Sequence, residues 1–278
     1  MRNRISVSLV ACVAALASLS IASAQSQKPT WSKCPDCQSV KEVAAARAKT
    51  ATLPFNPRDI SGVWNEGNGN RLQLSTPAPP LTAWGQGRYA ATKAEADASG
   101  TPLSNWKDGM LICDPLGWPR WFTYNFGFEF VQLPNRVVQF FEFYHTWRTI
   151  WTDGRTLLES PDPRWLGYSV GRWEGDTFVI ESNGFDERSW LSENRQDRQW
   201  GWPHSEQMRI RETYKRVNFN TMDVSLTITD PQTYTRPWVT EGKILRSPDA
   251  ELSEYFCVPS DSDTYNTRVL KPAVTGQR

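Results

Sequence analysis

The stretch from Tyr124 to Asn183 constrains the fold of this chain more than any other. It is a succession of short segments rich in aromatic and β-branched residues: YNFGFEFVQLPN, RVVQFFEFYHTWRTIWTDG and GYSVGRWEGDTFVIESNG. Such residues fit a pleated, half-buried surface. Pro134-Asn135, Asp153-Gly154 and Glu174-Gly175-Asp176 punctuate the runs, as hairpin turns do. A chain that spends this much length in short strands must hide their edges.

The remaining sequence adds strands of the same kind. Residues 204–217 alternate. Met222, Val224, Leu226 and Ile228 share one face of a strand, while Asp223, Ser225, Thr227 and Thr229 share the other. Val239–Leu245 and Leu252–Cys257 read as the last strands. Two helices are expected, over Gln38–Lys49 and over Ala83–Ala98, where good helix formers gather. Leu111–Arg120, with two prolines and a glycine, reads as a loop held near the core by Cys113, Leu116 and Trp118. Eight to ten antiparallel strands at hairpin spacing predict a mainly β protein. The expected architecture is a closed or nearly closed meander barrel with short peripheral helices. A β-sandwich has the same spacing and is the alternative.

The N-terminus reads as a secretory leader. Arg2 and Arg4 precede an apolar run from Leu9 to Ile21, and Ala22-Ser23-Ala24 offers a cleavage site. A lipoprotein box at Leu9-Val10-Ala11-Cys12 is the weaker reading, because the apolar run continues past Cys12. Four segments are thus expected: a signal peptide over 1–24, an extension over 25–58, a β domain over 59–260 and a flexible tail over 261–278. The expected location is the periplasm or outside the cell.

The leader takes two of the 31 basic residues and no acidic one, leaving 29 against 30. With no basic block, nucleic acid is a poor partner. No later segment has the length of apolar chain a membrane helix needs, so no insertion is expected. The sequence leaves the oligomeric state open. All 14 tryptophans lie past the leader, more than a core of this size ordinarily uses. A Trp-lined cavity for a small hydrophobic or aromatic ligand follows as the leading functional expectation. Trp64, Trp147, Tyr168, Trp202 and Trp238 are its candidate wall. A sugar is a further ligand class, since indole faces stack on sugar rings.

Of the five cysteines, Cys12 leaves with the leader. An even remainder in an oxidising compartment favours disulfides. Cys113 is expected to pair with Cys257, and Cys34 with Cys37. The CPDC spacing lacks the βαβ context of a redox site, and Gln38 stands where haem attachment needs histidine. Zinc held by four cysteines is weaker, because Cys113 and Cys257 stand far apart in sequence. No cofactor and no metal is expected.

Chemistry, if present, should fall to ionisable groups on apolar strands, where burial demands a partner. Glu212 shares its face with Met208, Ile210 and Tyr214. Glu142 lies between Phe140 and Tyr144, and His145 between Phe143 and Trp147. Arg148 follows, and His204 ends the loop WGWPH. The enzyme alternative makes Glu142, His145, Arg148, His204 and Glu212 an acid–base set around one cavity, for a hydrolase, lyase or isomerase. The bland alternative is a set of buried pairs that fix strand register. No nucleophile elbow, Walker loop or dinucleotide fingerprint occurs.

Two resemblances bear on the fold. DISGVW at 59–64 resembles the opening of lipocalin and calycin barrels, where the tryptophan closes one end. From about Asp59 to Ser260 the chain is similar to a large uncharacterised family of secreted bacterial proteins, abundant in soil acidobacteria. The motifs carrying this are GYSVGRWEGDT, PHSE, DPQTYTRPW, CDPLGWPR and EYFCVPS. The resemblance implies secretion and supplies no mechanism.

Overall fold

A computed structural model describes residues 40–65, 72–93, 99, 107–124, 126–192 and 201–272. Nine strands follow one another round a single sheet in chain order. They are β1 (Gly62–Trp64), β2 (Phe128–Leu133), β3 (Arg136–Phe141), β4 (Thr146–Trp151), β5 (Tyr168–Glu174), β6 (Thr177–Asn183), β7 (Arg209–Asn218), β8 (Thr221–Thr229) and β9 (Trp238–Leu245). The ring is a nearly closed barrel with one unsealed seam. β1 meets the chain at the end of β9, where Asn65 N–H donates to the Leu245 carbonyl at 2.8 Å and Ser247 N–H to that of Val63 at 2.9 Å. The barrel expectation holds, and the sandwich does not.

One pairing departs from the all-antiparallel expectation. β4 and β5 run parallel, through Ile150↔Ser169 and Trp151↔Val170. Asp153-Gly154 does not close a hairpin. Residues 152–167 carry Pro161 and Pro163 and return the chain to the end where β4 began, which is what a parallel neighbour requires. Elsewhere the alternation reads out as expected: Met222, Val224, Leu226 and Ile228 are all core.

Registers decide which side chains enter the barrel. Cross-strand partners share a face. Gln139 pairs with Arg148, and Phe140 with Trp147. Odd residues of β3 therefore share a face with even residues of β4. The inversion comes with the four-residue link 142–145, in which Tyr144 and His145 are both left-handed, with φ of 65° and 48°.

The interior is filled by the chain's own loop. Residues 109–112 and 120–123 form short 3₁₀ turns, and between them Leu116 and Trp118 are buried with Trp121 and Phe122. Phe122 packs edge-on against Phe128, with ring centroids 5.5 Å apart. Gly117 makes this insertion possible. Its φ is +75°, and a Cβ there would stand 2.3 Å from Ser189 Oγ. At the outer end Asp108 caps the first turn and takes the Arg120 guanidinium, whose Nη1 lies 2.8 Å from Oδ1.

Helix α1 (Val40–Thr50) lies where the sequence places it. Helix α2 (Ala83–Ala91) is capped by Thr82, whose hydroxyl accepts from Gly85 N–H at 3.0 Å, and ends at Thr92. The expected continuation over 94–98 lies outside the described residues. The C-terminal segment differs from expectation. Leu252–Cys257 makes only a bridge, Phe143↔Tyr255. Pro259–Tyr265 forms α3, not a loose tail, and its chain continues as one π turn to Leu270. Pro259 in the first turn suits a helix start, and Asp261 complements its dipole. Cys113 and Cys257 are joined as a disulfide. The leader, Cys34 and Cys37 lie outside the described residues.

Candidate functional site

Inside the barrel, Glu212 of β7 and Arg148 of β4 form a fork-to-fork ion pair. Arg148 Nη1 and Nη2 each stand 2.7 Å from a carboxylate oxygen. Trp118 Nε1 donates to Oε1 at 3.0 Å, and the Tyr214 hydroxyl donates to Oε2 at 2.8 Å. Arg148 Nε donates to Gln139 Oε1 at 2.8 Å, and its guanidinium lies 3.7 Å from the centre of the Trp118 ring. All five residues are buried. Burial works against the Arg148 charge, but the Glu212 carboxylate, by charge and hydrogen bond, turns the net direction upward. Burial, reinforced by Glu212, pushes the Tyr214 phenol well up, so it stays a donor. The carboxylate thus accepts four bonds and has no lone pair to offer a substrate.

The other ionisable candidates do not join this cluster. Glu142 accepts from Gly127 N–H at 2.9 Å and from the Ser253 hydroxyl. It is buried, and these are its own partners. His145 is exposed and stacks on Phe256, with centroids 4.5 Å apart. His204 is buried beside Ser189, a residue the sequence reading did not single out. Its Nδ1 faces the Ser205 carbonyl at 3.1 Å and must carry the proton. Nε2 then accepts from the Ser189 hydroxyl, 2.8 Å away. One shared cavity is therefore replaced by separate pairs, because each strand brings its charge to a local acceptor or donor.

Burial lowers the His204 pKa from its ordinary 6.5, outweighing the Ser205 carbonyl and nearby Asp230, Glu187 and Asp186. The unfolded chain takes up this proton at the ordinary value, and the folded chain only at lower pH. The group's contribution to stability is whole above the unfolded pKa and declines as pH falls through the window down to the folded one. Urea midpoints should fall on acidification from about pH 7.5 to about pH 5, the range in which histidine titrates. A His204→Gln variant should show a flatter profile over that range. An unchanged slope would mean that His204 is not held neutral.

The aromatic candidates divide in the same way. Trp64 and Trp238 are core. Their indole N–H groups donate to the carbonyls of Ile60 at 2.9 Å and Ser75 at 2.8 Å, so neither has a face left for a ligand. Trp202 is half-buried and stacks on Tyr89, with centroids 4.6 Å apart. Tyr168 is covered by Arg164, 4.0 Å above its ring. Trp147 lies outside the barrel, against the expectation of a lumen wall, because of the register inversion at Tyr144-His145.

On that outer face Glu129, Phe140 and Trp147 form one row across β2, β3 and β4. Phe140 is 38% exposed and Trp147 59%. The next row is Val131, Val138 and Thr149, and the third is Leu133, Arg136 and Trp151. Arg155 lies 3.7 Å over the Trp151 ring. Partial burial pushes the Glu129 carboxyl up. The signal for this face was present in the sequence: Phe140 sits at outward parity between inward Gln139 and Phe141. Among the described residues no group of His, Cys, Asp and Glu is placed to hold a metal ion. No helix there is long and apolar enough to cross a membrane. Set against known proteins, the chain matches no family model, no curated protein and no solved structure, so its function has to be argued from this geometry.

Proposed function

We propose that the protein is a small-molecule binding barrel that stacks a ring-bearing hydrophobic or aromatic ligand on the outer face of β2–β4. The observation that carries the reading is the exposed Trp147–Phe140 pair. An aromatic pair left in water forgoes roughly 25 cal/mol for each Å² of apolar surface that a partner would cover. Indole and phenyl faces side by side offer a ring ligand offset stacking. Glu129 in the same row supplies a polar contact for a hydroxyl on the ring. The leader read in the sequence fits a binder that meets its ligand in the periplasm or outside the cell. Acid–base catalysis through Glu212 is the poorer reading, since all its acceptor positions are taken.

Thermal-shift screening with substituted phenols, cinnamic acids and monoterpenes should find stabilising compounds, followed by titration of the hits. Trp147→Ala should weaken a hit about tenfold or more, or about 1.4 kcal/mol. Because the side chain is exposed, its melting temperature should stay near that of the parent. A hit that binds equally to the Trp147→Ala/Phe140→Ala double variant would remove the outer face from consideration.

A further inference from the structure

The end of the barrel where β7 turns into β8 and β9 stops gathers three arginines. Arg216 belongs to the inner face of β7 and is 3% exposed. Its guanidinium lies 5.8 Å from the centre of the Trp64 ring. It donates to the backbone carbonyls of Asp59, Asn218 and Phe219, at 2.6, 3.3 and 2.7 Å. Arg246 follows β9 and lies against the same Phe219 ring, 4.7 Å from its centre where Arg216 is 5.2 Å. Gly62 gives it room, since a Cβ there would stand 3.0 Å from Arg246 Nη2. Arg47 of α1 joins them, its Nε donating to the Arg246 carbonyl. The Asn220 carboxamide donates to the Arg47 carbonyl at 2.9 Å and so pins α1 to this end.

A guanidinium is charged at any working pH. Among the described residues Asp59 is the only carboxylate that forms an ion pair with any of the three. It lies 3.7 Å from Arg216 Nη1, and its side chain is 48% exposed. The two cations at Phe219 stand within about 10 Å of each other, a Debye length at ordinary salt. Burial, and after it the Arg246 charge, lower the Arg216 pKa against the pull of Asp59. Arg216 spends its donors on carbonyls. The Arg246 guanidinium makes no hydrogen bond or ion pair among the described residues. Arg246 and Arg47 are only half-buried, so solvent reaches both.

We infer that this end of the barrel binds a phosphate-monoester-class oxyanion, carried either by a soluble phosphate or by a lipid headgroup. Charge selects the class. Three cations and one carboxylate leave two positive charges, and such a phosphate carries about −1.5 to −2 at neutral pH. A monocarboxylate offsets half of that excess, and a neutral sugar none of it. Geometry agrees with charge. A planar guanidinium offers paired N–H groups that match two phosphate oxygens, and Arg246 has all of its own free. Arg216 stands behind it, held by its three carbonyls, and adds charge.

Two arms at one ionic strength test the assignment. The first is calorimetry with inorganic phosphate and with glycerol phosphate. The second is co-sedimentation with phosphatidylcholine vesicles, with and without phosphatidic acid. Binding in the first arm at millimolar concentration or below identifies a soluble ligand. Binding only to the vesicles with phosphatidic acid identifies a headgroup. In either arm Arg246→Gln should lower affinity tenfold or more, and Arg246→Lys should lose less because it keeps the charge. Arg47→Gln, on a helix outside the ring of strands, should weaken binding too. Arg268→Gln, exposed in the C-terminal π turn at the other end of the barrel, should leave it unchanged. Absence of binding in both arms overturns the proposal. So does affinity that survives both Arg246→Gln and Arg47→Gln, or that Arg268→Gln lowers as much.

Discussion

Arg148→Ala is expected to destabilise the protein by about 3–5 kcal/mol, the usual cost of breaking a buried ion pair from one side. The Glu212 carboxylate would stay in the barrel interior with only Trp118 and Tyr214 to hold it. Trp118 would also lose the cation over its ring, 3.7 Å away, a contact worth about 2 kcal/mol when desolvated. Glu212→Gln should cost less. An amide oxygen still accepts from one of the two donors, but its NH₂ faces the guanidinium. In the double variant Arg148→Ala/Glu212→Gln neither charge remains, so the loss should fall well short of the sum of the two singles. Urea denaturation of the four proteins gives the coupling as a double-mutant cycle. Additive effects, or an Arg148→Ala loss below about 1 kcal/mol, would show that the pair does not hold the barrel together.

Cys113→Ser should cost about 2–5 kcal/mol, the range for removing a native disulfide. The bridge spans 144 residues, for which the loop-entropy estimate is about 5 kcal/mol. A loss of about 2–5 kcal/mol corresponds to a fall in melting temperature of roughly 4–20 °C for a chain of this size. The damage should also be local. The segment before Cys257 brings Ser253 to the buried Glu142 carboxylate and Tyr255 to within 4.9 Å of the Phe143 ring. Without the bridge, amides of 252–258 should exchange faster than the barrel strands, and reduction of the parent protein should reproduce the effect. Parent and variant melting together under oxidising conditions would mean that the bridge adds nothing to the packing around it.

The architecture was legible in the sequence because it rests on local signals. Alternation in Met222–Thr229 identifies a strand and its inner face whatever the strand packs against. Turn residues at 134–135 and 174–176 mark hairpins for the same reason. Glu212 stood out as a charge on an apolar face. Its partnership with Arg148 was harder to read, since the two lie 64 positions apart. Only the register of β3 with β4, and the circle of strands that brings β4 opposite β7, put them in contact.

Where the sequence misled, the cause is non-local. The left-handed link at Tyr144-His145 inverts parity, so Trp147, which a straight count places beside Phe141, faces solvent. The parallel return through 152–167 depends on where β5 finds a neighbour, and no local motif encodes that. The CDPLGWPR loop carries turn residues. Whether it runs over the surface or into the barrel depends on Glu212 and Arg148 offering Trp118 a hydrogen bond and a cation at once. Strand type, spacing and the alternation within each strand were thus determined by the sequence, because each follows from the chemistry of a few neighbouring residues. Which charges meet, which aromatics are spent in the core and which stay on the surface was decided by the tertiary structure. Those outcomes depend on register and closure, which are properties of the whole ring of strands.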